Sequence, residues 1–91
     1  MRVRVKMVRP FRDAVGKPEV DLDGAPPGVV DAILQLCGQY PGLREHLLED
    51  GALSPYVNIY VNGTAVHVDE VHKVALRDGD ELLFLLPLTG G

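Results

Sequence analysis

Hydrophobic and polar positions alternate over residues 2–8: Val3, Val5 and Met7 fall on one face, Arg2, Arg4 and Lys6 on the other. Period two is the mark of a half-buried strand. Asp13 to Lys17, with Gly16, reads as a turn, and Glu19-Val20-Asp21-Leu22 alternates again. The pair predicts a hairpin, with Pro18 at an edge or strand start where no amide donor is needed. Gly24-Ala25-Pro26-Pro27-Gly28 breaks the pattern. Behind it Val29, Ile33, Leu36 and Tyr40 recur at helical spacing beside Val30, Leu34 and Cys37, which predicts an amphipathic helix of about three turns. Gly38 weakens its end and Pro41-Gly42 stops it. Leu43 to Glu49 can add one short helical turn, with Leu43, Leu47 and Leu48 inward.

The second half is read mainly as strands. Val57-Asn58-Ile59-Tyr60-Val61 is followed directly by Asn62-Gly63, the strongest two-residue hairpin signal, and Val66-His67-Val68 returns. Asp78-Gly79 is another tight turn. Glu81 to Leu86 is almost continuously apolar, the pattern of a strand buried on both faces, and Pro87 ends it. One helix across a mixed sheet, with the first and last strands paired in the middle, is the ubiquitin-like roll. A ferredoxin-like arrangement also combines two helices with four strands.

At 91 residues and 46 % hydrophobic, the chain holds one domain over 1–91, too short for a barrel or a doubly wound dinucleotide fold. A single cysteine excludes an internal disulfide framework or a cysteine metal site. No apolar run reaches the roughly 18–20 residues of a bilayer span. The N-terminus lacks the apolar stretch of a signal peptide, so the expected location is cytoplasmic, with no membrane partner. Charge is uneven. Residues 1–17 carry six basic groups against Asp13, a local +5, while residues 18–91 carry three against twelve acids, a local −9. An acidic chain without tryptophan does not suit nucleic acid, and a solvated strand face accounts for the basic stretch.

Four segments then carry a resemblance. They are Phe11-Arg12-Asp13 with Gly16-Lys17, Tyr40-Pro41-Gly42-Leu43, Val57 to Gly63, and Leu76-Arg77-Asp78-Gly79-Asp80-Glu81 running to a terminal Gly90-Gly91. In this order and spacing the chain resembles the ubiquitin-like sulfur carriers of the MoaD/ThiS family, in particular the molybdopterin synthase small-subunit type. The tail departs from that type in having one proline, Pro87, where many members have two. The resemblance implies an α+β ubiquitin-like β-grasp roll. It implies a mixed sheet of four to five strands, a main helix, a short second helix and a flexible tail at 88–91. It also implies the chemistry. An adenylating enzyme similar to the ubiquitin-activating enzymes, using ATP and Mg, activates the Gly91 carboxylate. A sulfide or persulfide then displaces AMP to leave a thiocarboxylate. The sulfur goes on to an acceptor, here molybdopterin, with the molybdopterin synthase large subunit as the second partner. Conjugation to lysines of target proteins is the alternative, as is thiolation in thiazole, cysteine or tRNA pathways.

The residues suit that chemistry. A C-terminal carboxyl, with a reference pKa of roughly 3.3–3.7, is anionic at pH 7. Gly90 and Gly91 lack a Cβ and can enter a narrow channel, and Pro87 stiffens the stem. The expected site is therefore Gly91 and Gly90. Partner contacts are expected at Pro87, Leu88, Thr89 and Phe84, and at the loop bearing Tyr56. The bland alternative is a frayed terminus. Leu86-Pro87-Leu88-Thr89-Gly90 also fits a sortase signal, but no apolar segment or basic tail follows it. His67, Asp69, Glu70 and His72 suit a solvated edge better than a metal site, and Cys37 suits a small core residue. With no nucleophile paired to a base, the chain is expected to be a subunit or substrate of enzymes, not an enzyme, and to bind no cofactor or metal itself.

Overall fold

The computed structural model describes residues 2–24, 27–67 and 69–86. Five strands form one mixed sheet in the order β2-β1-β7-β5-β6. They are β1 (Arg2–Met7), β2 (Glu19–Asp23), β5 (Asn58–Val61), β6 (Thr64–Val66) and β7 (Glu81–Leu85). β1 and β7 run parallel in the centre, with Val5 opposite Leu82 and Met7 opposite Phe84. The other pairings are antiparallel. Helix α2 (Val29–Gln39) lies across one face. Its Val29, Ala32, Ile33, Leu36 and Cys37 join Val3, Val5, Leu22, Ile59, Leu82 and Phe84 in a single core. This is the β-grasp roll that the strand order and the helix periodicity predict.

Local chemistry explains the turns. Asn62 and Gly63 both have positive φ, 51° and 82°, and Val61 pairs with Thr64 around them. A two-residue loop with both φ positive matches the right-handed twist of the flanking strands. At the start of α2, the Val29 amide donates to the Val74 carbonyl at 3.1 Å and the Leu76 amide to the Pro27 carbonyl at 3.1 Å. A Cβ on Gly28 would lie 3.1 Å from the Val74 carbonyl oxygen, so glycine permits this close approach.

Four expectations are corrected. The segment after β1 is more than a turn: Phe11–Val15 form helix α1, ended by Gly16 at φ 85°. Phe11 is fully buried and meets Phe84 edge-on, ring centroids 6.0 Å apart, and that burial drives the helical turn. Leu43 and Leu47 are inward as expected, in a 3-10 turn (Pro41–Leu43) and helix α3 (Arg44–Leu47). Leu48 instead opens a small hairpin, β3 (Leu48–Glu49) with β4 (Ala52–Leu53). β7 is not buried on both faces: Leu82 and Phe84 are buried, whereas Glu81, Leu83 and Leu85 are half-exposed. Only one face of the sheet carries the helix, so its apolar run alternates despite its composition. The strand expected at Val66-His67-Val68 ends at Val66, with Val68 outside the described residues.

Candidate functional site

The chain leaves the sheet at the C-terminal end of β7. Gly90 and Gly91, together with Pro87, Leu88 and Thr89, lie outside the described residues, so the site is defined here by what surrounds the root of the tail. Parallel pairing of Met7 with Phe84 brings Val8 alongside Leu85. Antiparallel pairing of Asn58 with Leu85 brings Val57 alongside Leu86 and sets the Tyr56 loop at the same end. Tyr56 is 67 % exposed, Val8 40 % and Leu86 38 %. These are three of the four large exposed hydrophobics among the described residues; the fourth, Leu34, is on α2. Scattered single exposures are ordinary, but an apolar collar around one exit is a candidate contact surface.

The collar continues onto the uncovered face of the sheet. Leu83 sits there between Lys6 and Tyr60, its register partners in β1 and β5. Cross-strand ion pairs flank it: Arg2 with Asp23 at 3.2 Å, Arg4 with Asp21 at 3.3 Å and Lys6 with Glu81 at 3.4 Å. The Asp23 carboxylate, hydrogen-bonded to Arg2, holds that guanidinium pKa above its ordinary value. The basic face of β1 is thus matched by acids on β2 and β7. These pairs are exposed and each adds little stability, but they leave a neutral, mixed surface where the sequence suggests a positive one.

The opposite end of β7 is fixed by polar contacts. The Arg2 amide donates to the Asp78 carboxylate at 2.8 Å and the Arg77 amide to the Asp80 carboxylate at 2.7 Å. The Asn62 side-chain amide donates to Asp80 at 2.9 Å, and the Asn62 side-chain oxygen accepts the Glu81 amide at 2.9 Å. The hydrogen bond from Asn62, then that from the Arg77 amide, hold the Asp80 carboxyl below its ordinary pKa.

Phe84 does not belong on the contact surface. It is 0 % exposed, packed on Phe11, because the parity of β7 aims it at the helix. Its neighbours Leu83 and Leu85 are the outward residues. The alternation of β1 likewise turns Val8 away from the side of Met7. Tyr56 is exposed at the exit. His67 and Asp69 form a local turn, with the Asp69 amide donating to His67 Nδ1 at 3.2 Å. No group of three or more metal-ligating side chains occurs among the described residues. Cys37 is buried, and desolvation raises its thiol pKa, the opposite of a reactive thiolate. Among the described residues no helix is long and apolar enough to cross a membrane.

A β-grasp body with this strand order defines the class of small ubiquitin-like folds. Within that class the family is given by the model of the ThiS family, which matches residues 5–91. The chain belongs to the ThiS family, whose sulfur carriers are non-catalytic substrates of activating enzymes of the ubiquitin-activating type. It is 35 % identical over 96 residues to small archaeal modifier protein 3 of Haloferax volcanii, covering 100 % of both chains. It is 34 % identical over 79 residues to the sulfur carrier protein CysO of Mycobacterium tuberculosis, covering 84 % of this chain and 83 % of that one. The crystal structure of SAMP1 from H. volcanii superposes with a TM-score of 0.86 at 28 % identity, covering 100 % of both chains. A Helicobacter pylori complex of subunits 1 and 2 of molybdopterin-converting factor matches with a TM-score of 0.64 at 22 % identity, covering 100 % of both chains, and shares the fold alone.

Proposed function

We propose that the protein is a sulfur carrier whose C-terminal Gly91 carboxylate is the reacting group. A carboxylate oxygen attacks the α-phosphorus of ATP and pyrophosphate leaves. A sulfide or persulfide sulfur then attacks the acyl carbon and AMP leaves; on the persulfide route a second thiol reduces the acyl disulfide. The product is a Gly91 thiocarboxylate. The adenylating enzyme supplies ATP and Mg, and the carrier contributes a stable body and a reachable end. The observation that carries this reading is the match of the ThiS family model through to the final Gly90-Gly91, on a chain that leaves the sheet beside an exposed apolar collar.

The acceptor we propose is molybdopterin, reached with the large subunit of its synthase, on the strength of the family resemblance and the diglycine end. A second reading has a specific observation behind it: full-length similarity to a protein named as a modifier, at 35 % identity. There the activated Gly91 is joined to lysines of target proteins. Both begin with the same adenylate and part at the nucleophile. Intact mass after incubation with the adenylating enzyme, ATP and a sulfide donor tests the shared core. Exchange of a carboxyl oxygen for sulfur should add about 16 Da, the atomic mass difference expected for nucleophilic displacement at the activated carboxyl. No mass change would remove the carrier reading, and higher-mass conjugates in a lysate would favour the modifier.

A further inference from the structure

The N-terminal cations divide into two sets. Arg2, Arg4 and Lys6 lie on β1 and are paired across strands with Asp23, Asp21, Glu19 and Glu81. Arg9, Arg12 and Lys17 lie in the connection between β1 and β2. Arg9 meets Asp13 at 3.7 Å, both side chains well exposed. Arg12 and Lys17 have no carboxylate within 4.0 Å among the described residues, and Lys17 is exposed. The connection sits at one end of the sheet, since the Met7 amide donates to the Pro18 carbonyl at 2.9 Å. That is the end at which the chain leaves β7: α1 is held there by the Phe11–Phe84 contact. An acidic protein, net −4, therefore carries a local excess of positive charge beside the apolar collar of Val8, Tyr56 and Leu86.

We infer that this end docks on a surface of the adenylating enzyme that is apolar at its centre and acidic at its rim, with Arg12 and Lys17 as the rim contacts on the carrier. The inference rests on the function proposed above and names how that partner is recognised. Gly91 is the fifth residue past Leu86. Threaded in extended form into a partner's channel, it would set the reacting carboxylate about 16–18 Å from the root of the tail, beyond the roughly 8–10 Å over which exposed charges act at ordinary salt, so the cations would not serve the nucleotide. What lies against the root of a threaded tail is protein surface, and unpaired cations there select acidic surface. Rim charges of this kind govern encounter rate and salt dependence more than the bound-state chemistry.

The test is ATP–pyrophosphate exchange by the adenylating enzyme of the same organism, with carrier concentration varied at 50 and 300 mM NaCl. Arg12→Glu with Lys17→Glu should raise the KM for carrier about tenfold at low salt, the lower end of electrostatic steering effects. The kcat should be unchanged, and the salt dependence shown by the wild type should be lost. Arg77→Glu, at the far end of β7, serves as the control and should leave KM as it was. An unchanged KM in the double variant, or an equal rise in the control, would overturn the inference. If thermal melts show that the Glu pair unfolds, Arg12→Gln with Lys17→Gln replaces it and should raise KM in the same direction, to a smaller extent. Deletion of Gly91, run in parallel, separates the two claims. Exchange lost on deletion but indifferent to Arg12 and Lys17 would sink the docking surface alone. Exchange that survives the deletion would sink the proposed function itself.

Discussion

The two ends of β7 are built from opposite materials. At its start, Asp78, Asp80 and Asn62 tie the strand to β1 and to the β5–β6 turn through side-chain hydrogen bonds of 2.7–2.9 Å. At its finish, one residue past the fully buried Phe84 the chain is half-exposed, and Val8, Tyr56 and Leu86 stand open to solvent. One end fixes register by directional polar contacts, which admit few alternatives. The other leaves apolar surface that solvent does not favour and a partner can cover. The function proposed above would use both, because ordering a chain end on a partner costs conformational entropy, and a rigid root limits how much must be ordered.

The finish of β7 depends most on Phe84, the last buried residue before the exit. Phe84→Ala removes a ring packed on Phe11 within the core. The expected loss is about 3–5 kcal/mol, which lowers Tm by more than about 12 °C in a domain of this size. A variant that melts like the wild type but binds the adenylating enzyme poorly would return Phe84 to the contact surface.

Gly91 tests the proposed reacting end. Its deletion should change stability by less than about 0.5 kcal/mol, while adenylation falls at least a hundredfold. The new carboxylate stops one residue short, up to about 3.3–3.6 Å of reach, and a misplacement of about 1 Å already costs roughly that factor. Gly91→Ala keeps the reach and adds a methyl group beside the reacting carbon, so its smaller loss measures steric access alone. Thermal melts and pyrophosphate exchange read the two quantities separately.

Much of this was legible in the residues. Alternation in β1 and β2, the helical spacing from Val29 and the Asn62-Gly63 turn each rest on local stereochemistry, and each stands where it was expected. What was missed depends on tertiary position. The apolar run Glu81–Leu86 carries no mark of which face the helix covers, so the sequence does not distinguish Phe84, which is buried, from Leu83 and Leu85, which face outward. Phe11 reads as a loop residue until its place against Phe84 and His46 is known. Leu48 follows directly on the short helical turn that holds Leu43 and Leu47, yet it lies in a two-residue strand whose pairing with Leu53 no periodicity reveals. The basic stretch reads as one solvated face, whereas pairing across strands divides it into a neutralised ladder and, at the exit, Arg12 and Lys17, which have no carboxylate within 4.0 Å among the described residues.

The smallest expected effect lies at the locked end. Asp80 is held below its ordinary pKa of 3.8 first by the Asn62 side-chain hydrogen bond and then by the Arg77 amide, against a minor desolvation effect. A carboxyl with a depressed folded pKa binds its proton less readily when folded than when unfolded. Its contribution to stability is therefore complete above 3.8 and is lost as pH falls through the lower, folded value. Asp80→Asn keeps the shape and one acceptor but removes the charge. The group is only partly buried, so solvent screens it and the expected loss at pH 7 is small, about 0.5 kcal/mol, below the range for buried charge-assisted hydrogen bonds. Urea melts at pH 7 and pH 5 should show the same gap between variant and wild type. Below 3.8 the gap should close, as the wild-type carboxyl takes up the proton that makes it resemble the amide. A gap that persists undiminished at pH 2 would mean that the geometry of the Asn62 contact, and not the charge on Asp80, locks the start of β7.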